Sequence, residues 1–329
     1  MSASPAEAPG SAGPIGYTLW AGTVGFSSPL AERFAATAAI GCRRATLSPP
    51  DVLRAAESGT TAAEIGRQAA DLGLGLVMDP VMNWYPDREP SPSRFAGVST
   101  DDALRMCEAL GVASLSVIAT ASSDVPVPEL AEHFGRVCDR AAGFGAQVHL
   151  EFMPFTIVRN LRIAWDLVRT ADRPNGGLIF DTWHFFRGEP DFDVLAGIPG
   201  DRIFSVQLDD APAVPQGSLR EETSRRLLPG DGALDLIAAI QALHRIGKLG
   251  RPGGDQPRAC RHAGAGRRHA RARPDAGDRG RGAGHTVKPA NSAPGAARSP
   301  LSTRRSRRSS VSTIRRRCAG DQRFGSTMD

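Results

Sequence analysis

The chain has 329 residues and 41% hydrophobic content, enough for one large domain if the apolar residues were evenly spread, and they are not. Of its 40 Lys and Arg and 35 Asp and Glu, 19 and 5 lie from Arg251 onward, leaving 21 and 30 before it, so the net charge of +5 is the sum of an acidic first part and a basic remainder. The basic total is therefore no nucleic-acid signature of the first part. Five scattered cysteines without a C-x-x-C pair argue against a disulfide framework or structural zinc site and fit a reduced, cytoplasmic setting. Met1 to Pro14 lack the basic start and apolar core of a secretion signal, and no run of about 18 apolar residues offers a membrane span.

In chain order, residues 1–14 read as a disordered Ser/Ala/Pro-rich leader. Residues 15–250 then alternate short apolar runs with segments of helical periodicity, the pattern of βα units around a parallel sheet. Strands are expected near Ile15 to Leu19, Arg44 to Leu47, Gly75 to Met78, Ser114 to Ile118, Gln147 to Phe152, Gly177 to Asp181 and Ile203 to Leu208. Helices are expected over Pro29 to Ile40, Thr61 to Leu72, Asp101 to Leu110, Glu129 to Phe144, Leu161 to Thr170 and Ala233 to Ile246, several opened by Ser, Thr, Asp or Pro. Seven such units imply an eighth, and the fold expected is an α/β TIM (β/α)8 barrel; a doubly wound open sheet is the rival, but no G-x-G-x-x-G follows the first strand.

From Arg251 to Asp329 the composition turns to Arg, Gly, Ala, Pro and Ser, which cannot bury enough apolar surface to offset ordering entropy, so a disordered basic tail is expected where the eighth strand should stand. Sliding the codons of residues 251–258 by one base permits Gly-Pro-Val-Gly-Ile-Asn-Pro-Glu, a strand-like run, and a frameshift is preferred here to a natural tail. The Arg clusters of the tail lack interleaved aromatics and speak against nucleic-acid contact.

In a barrel the loops after the strands converge on one mouth, which selects Asn83, Trp84, Glu151, Asp181, His184, Gln207 and Asp209. Glu151 ends an apolar strand in H-L-E-F-M-P, where a carboxylate is costly to bury unless it binds a metal or moves a proton. Asp181 ends the next, with His184 three residues on, and Gln207 ends the third. Three consecutive strands thus bring oxygen ligands to one rim, suiting a divalent ion, Mn²⁺ or Mg²⁺ more than Zn²⁺. The bland readings are a salt-bridged Glu151, a satisfied buried His184 and a polar interior Gln207. His149 precedes the rim and reads as packing. Arg187 either positions substrate or pairs with Asp191 or Glu189; Trp84 either shapes a sugar pocket or caps the barrel.

The segments L-E-F-M-P, N-G-G-L-I-F-D-T-W-H-F-F-R, Q-L-D-D and R-R-L-L-P-G-D-G-A-L-D resemble the xylose isomerase-like barrel family of sugar phosphate isomerases, epimerases and related dehydratases. The resemblance implies Glu151, Asp181 and Gln207 as metal ligands, Glu151 and His184 as catalytic groups, and Arg226 reaching a substrate oxygen. It implies a small-molecule substrate, a sugar, sugar phosphate or polyol derivative isomerised or epimerised through a metal-stabilised enediolate. Gln207, where many members have His, is a feature shared with dehydratases of a cyclic hydroxy-keto acid of the 3-dehydroshikimate type, the second reading. The fourth ligand of the family, an eighth-strand Glu, has no counterpart, which leaves an inactive barrel as a third. A trinuclear zinc endonuclease of the same superfamily needs more His than His133, His149, His184 and His244 supply. Oligomeric state is open.

Overall fold

The computed structural model describes residues 16–86, 93, 95–119 and 125–249; the expected leader, tail and eighth strand lie outside the described residues. Those described fall within one compact unit, residues 1–269. Their strands are β1 (Thr18–Leu19), β2 (Arg44–Leu47), β3 (Gly75–Val81), β4 (Ser114–Ile118), β5 (Gln147–Glu151), β6 (Gly176–Asp181) and β7 (Ile203–Gln207). All pair in parallel and in chain order, the arrangement that successive βα units impose when each helix carries the chain back to the start of the sheet.

The intervening helices are α1 (Ala21–Val24), α2 (Leu30–Ala39), α3 (Pro49–Glu57), α4 (Ala62–Asp71), α5 (Thr100–Leu110), α6 (Val127–Ala142), α7 (Leu161–Ala171), α8 (Thr182–Arg187), α9 (Phe192–Ala196), α10 (Leu219–Glu222) and α11 (Leu236–Arg245). Local chemistry starts them. Thr61 and Glu64 form a capping box on α4, Ser99 caps α5, Asn160 caps α7 and Asp235 caps α11. The apolar faces of α5, α6 and α7 meet the outward side chains of β3 to β6, so Leu104, Phe134 and Leu167 are fully or nearly fully buried with Leu115, Leu150 and Leu178.

The expected strands agree with these within one residue at each end, except that β1 starts at Thr18, three residues after the expected Ile15, and β3 runs on through Asp79 and Pro80 to Val81. Helix α3 was not expected, although Ser48 caps it together with Asp51 and Pro49 supplies the first helical position. No helix among the described residues is long and apolar enough to cross a membrane.

On the inward face the residues are polar. Asp79 accepts from Trp20 Nε1 at 3.0 Å and from Ser116 Oγ, and His149 Nδ1 lies 3.4 Å from Ser205 Oγ with its ring against Phe204. His149 is therefore an interior packing residue, as its place before the rim suggested.

Candidate metal centre and active site

Three consecutive strand ends build the site. Glu151 closes β5, Asp181 closes β6 and Gln207 closes β7, with Asp181 and Gln207 at the same register; their exposures are 5%, 0% and 4%. Asp181 also caps α8: its Oδ1 accepts the backbone N–H of His184 at 2.8 Å, so the carboxylate that ends the strand starts the helix and delivers His184 to the same rim. His184 is fully buried, with Nε2 3.4 Å from Glu151 Oε1. One ligand atom from each of Glu151, Asp181 and His184 lies within 4.8 Å of the others.

Arg226 enters this cluster from the segment after α10. Its Nη1 donates to Asp181 Oδ2 at 2.6 Å and to Asp209 Oδ2 at 2.8 Å; its Nη2 donates to Thr223 Oγ1 at 2.8 Å and faces His184 Nε2 at 3.1 Å. The guanidinium lies over the Trp183 ring, 4.8 Å from its centre. A guanidinium has only donors, so this contact is a hydrogen bond when Nε2 is the acceptor; the other ring nitrogen, Nδ1, is buried with no hydrogen-bond partner.

Charge decides what the site wants. Burial works to raise the Asp181 pKa, but the Arg226 guanidinium, then His184 and its backbone N–H, outweigh it and hold the carboxyl at about 2. Burial works against the Arg226 charge too, and Asp181, Asp209 and Glu151 overcome it in that order, keeping the guanidinium protonated. Asp181 and Asp209 both meet the Arg226 guanidinium, and Glu151 meets His184. The carboxylates of Glu151 and Asp181 and an imidazole nitrogen of His184 are donors of the mixed oxygen and nitrogen kind that divalent ions accept, with Gln207 paired beside Asp181 at the strand ends.

The remaining expected residues are placed otherwise. Arg187 pairs neither with Asp191 nor with Glu189: its Nε and Nη2 both reach Glu222 Oε1, at 2.8 and 2.7 Å, and Nη2 also donates to Pro212 O at 2.7 Å. Trp84 packs edge-on against Tyr85 and Phe134, with its indole N–H donated to the carbonyl of Ile118, the residue paired with Glu151 across β4 and β5. Arg225 is exposed and donates to Gln216 O.

Glu222 is a functional candidate that the sequence analysis does not name. It accepts from Trp183 Nε1 at 3.0 Å, from Arg187 and from the Gln216 N–H at 2.9 Å, pinning the segment after β7 onto α8. Burial would raise its pKa, but these donors hold it below the ordinary value. Asp210 takes four backbone N–H groups, those of Ala211, Gly230, Gly232 and Leu234, at 2.8 to 3.1 Å, and a Cβ on Gly232 would come within 2.2 Å of its Oδ1. The Asp-Asp pair of Q-L-D-D and the P-G-D-G turn were the available signals: Asp209 orients Arg226, and Asp210 folds the turn that carries it.

Residues 34–250 match the model of the xylose isomerase-like TIM barrel. A 3-dehydroshikimate dehydratase of Pseudomonas aeruginosa is 30% identical over 234 residues, 69% of this chain and 36% of that protein. An inosose isomerase of Bacillus velezensis is 36% identical over 119 residues, 36% of this chain and 42% of that protein. The chain thus spans about two fifths or less of the length of these curated relatives. A crystal structure of the IolI protein with a binding zinc atom superposes with a TM-score of 0.64 at 20% identity, over 74% of this chain and 88% of that one.

Proposed function

The chain belongs to the xylose isomerase-like TIM-barrel family, and from that premise we propose that it is a divalent-metal-dependent isomerase or epimerase of a sugar, sugar phosphate or polyol derivative. The observation that carries the proposal is the buried cluster in which one ligand atom each of Glu151, Asp181 and His184 lies within 4.8 Å of the others. Glu151, Asp181 and Gln207 would hold the cation, with His184 Nε2 within reach of it. Zinc is the metal bound by the IolI neighbour, so the expected preference for Mn²⁺ or Mg²⁺ is the finer part of the proposal. When bound, a divalent ion polarises a ketone or aldehyde oxygen and makes the neighbouring C–H more acidic.

The residues supply the rest. Glu151 Oε1 and His184 Nε2, 3.4 Å apart on one side of the site, are the groups we assign to proton transfer. Arg226, anchored by Asp209 and Thr223, is the donor for a substrate oxygen. Burial of Glu151, His184, Arg226 and Asp209 excludes water and strengthens each of these interactions.

A dehydratase of a hydroxy-keto acid is the second reading, favoured by Gln207 at the third strand end and by the longer match to the dehydratase relative. Both reactions begin with removal of a proton beside a carbonyl. Full-length chain loaded with Mn²⁺ and incubated in D₂O with ketoses, inososes and 3-dehydroshikimate is expected to place deuterium beside the carbonyl of one of them, with Glu151→Gln slower by about a hundredfold or more. A new ultraviolet absorbance would select the dehydratase; no exchange with any of these compounds by metal-loaded, folded protein would contradict the proposal.

A further inference from the structure

Metal-ligating atoms and the guanidinium of Arg226 compete for the same space. Asp181 and His184 belong to the cluster that a cation would occupy, and one candidate ligand atom of each, Asp181 Oδ2 and His184 Nε2, is already held by Arg226, at 2.6 and 3.1 Å. A cation close enough to coordinate those atoms would stand against the guanidinium, and two like charges in contact away from water repel strongly.

The side chain is built to give way. Its other two bonds, Nη1 to Asp209 Oδ2 and Nη2 to Thr223 Oγ1, go to residues outside the Glu151, Asp181 and His184 cluster. Asp209 sits two residues past β7, and the Trp183 ring supplies a flat surface along which the guanidinium can slide. Arg226 Nε is buried and without a hydrogen-bond partner, so the observed position leaves one donor unused.

We propose that Arg226 is an internal counter-ion that holds Asp181 Oδ2 and His184 Nε2 in the metal-free chain, and that cation binding displaces its guanidinium onto the Asp209 and Thr223 anchors. Metal loading then frees the same donors that a substrate oxygen needs, which couples the two binding events through one side chain. The inference rests on the metal-dependent reading above. It predicts that metal-free protein is stabilised by Arg226 while its metal affinity is lowered by it.

The test uses full-length chain stripped with a chelator and titrated with Mn²⁺ alone by calorimetry, comparing the unaltered protein with Arg226→Lys, Arg226→Gln and Thr223→Ala. Arg226→Lys keeps the charge and loses the fork that reaches both ligand atoms, so it is expected to bind Mn²⁺ about tenfold more tightly, as for one charge-assisted hydrogen bond removed from competition. Its metal-free form is expected to melt at a lower temperature. Thr223→Ala leaves the guanidinium in place and removes one anchor of its displaced position; weaker Mn²⁺ binding is expected, and it serves if the Arg226 variants do not fold. Tightening in Arg226→Gln alone would assign the effect to charge at a distance and overturn displacement. Unchanged or weaker affinity in folded Arg226→Lys, or tighter binding in Thr223→Ala, would overturn it as well, leaving the metal-dependent reading intact. Failure of every protein, the unaltered one included, to bind Mn²⁺ would instead remove that reading and this inference with it.

Discussion

Asp181 does three things at once: it ends β6, caps α8 and neutralises Arg226. Its carboxyl is held at about 2, below the ordinary 3.8. A lowered folded-state value means that the stabilisation is complete above the unfolded-state value and is lost as pH falls toward the folded-state one. Urea denaturation should therefore show a loss of stability between 3.8 and about 2 that is attributable to this group. Asp181→Asn should lack that acid limb and be less stable at neutral pH by about 3 kcal/mol, because Arg226 is left buried with one ion pair fewer; an unchanged acid limb would contradict the assignment. Glu151 and Asp181 were legible in the sequence because an acid at the end of an apolar run has few other uses. The role of Arg226 was not, because a basic pair before a Pro-Gly turn does not reveal which member is buried or which carboxylates meet it.

At the scale of elements, periodicity located the strands and most helices, since short apolar runs and amphipathic segments differ in length and repeat. Two departures have local causes. The expected third strand ends at Met78 whereas β3 passes through Pro80, and the Ser-Pro-Pro start of α3 lies outside the expected helices although Pro fits a first helical turn. The segment after β7 was opaque for a different reason: Glu222 joins it to α8 through partners 35 and 39 residues away, which no local pattern encodes. Glu222→Ala should leave Arg187 and Trp183 Nε1 buried without their acceptor and cost about 3 kcal/mol. Limited proteolysis should then cut first between Pro212 and Ser224; an unaltered cleavage pattern and unaltered stability would show that the clamp is dispensable.

For the molecule as a whole, the order of seven parallel strands among the described residues turns residues far apart in sequence into neighbours at one rim, and an acid or amide at the end of an apolar run is the sequence feature that marks that rim. The described part holds a buried cluster in which Glu151, Asp181 and His184 come together beside the Arg226 guanidinium. The most direct test is the metal content of the purified full-length protein, measured by elemental analysis beside a folded Glu151→Ala, Asp181→Ala double variant. One divalent ion per chain in the first and none in the second is the predicted result; no metal in either, even after incubation with Mn²⁺, Mg²⁺ and Zn²⁺, would contradict the account.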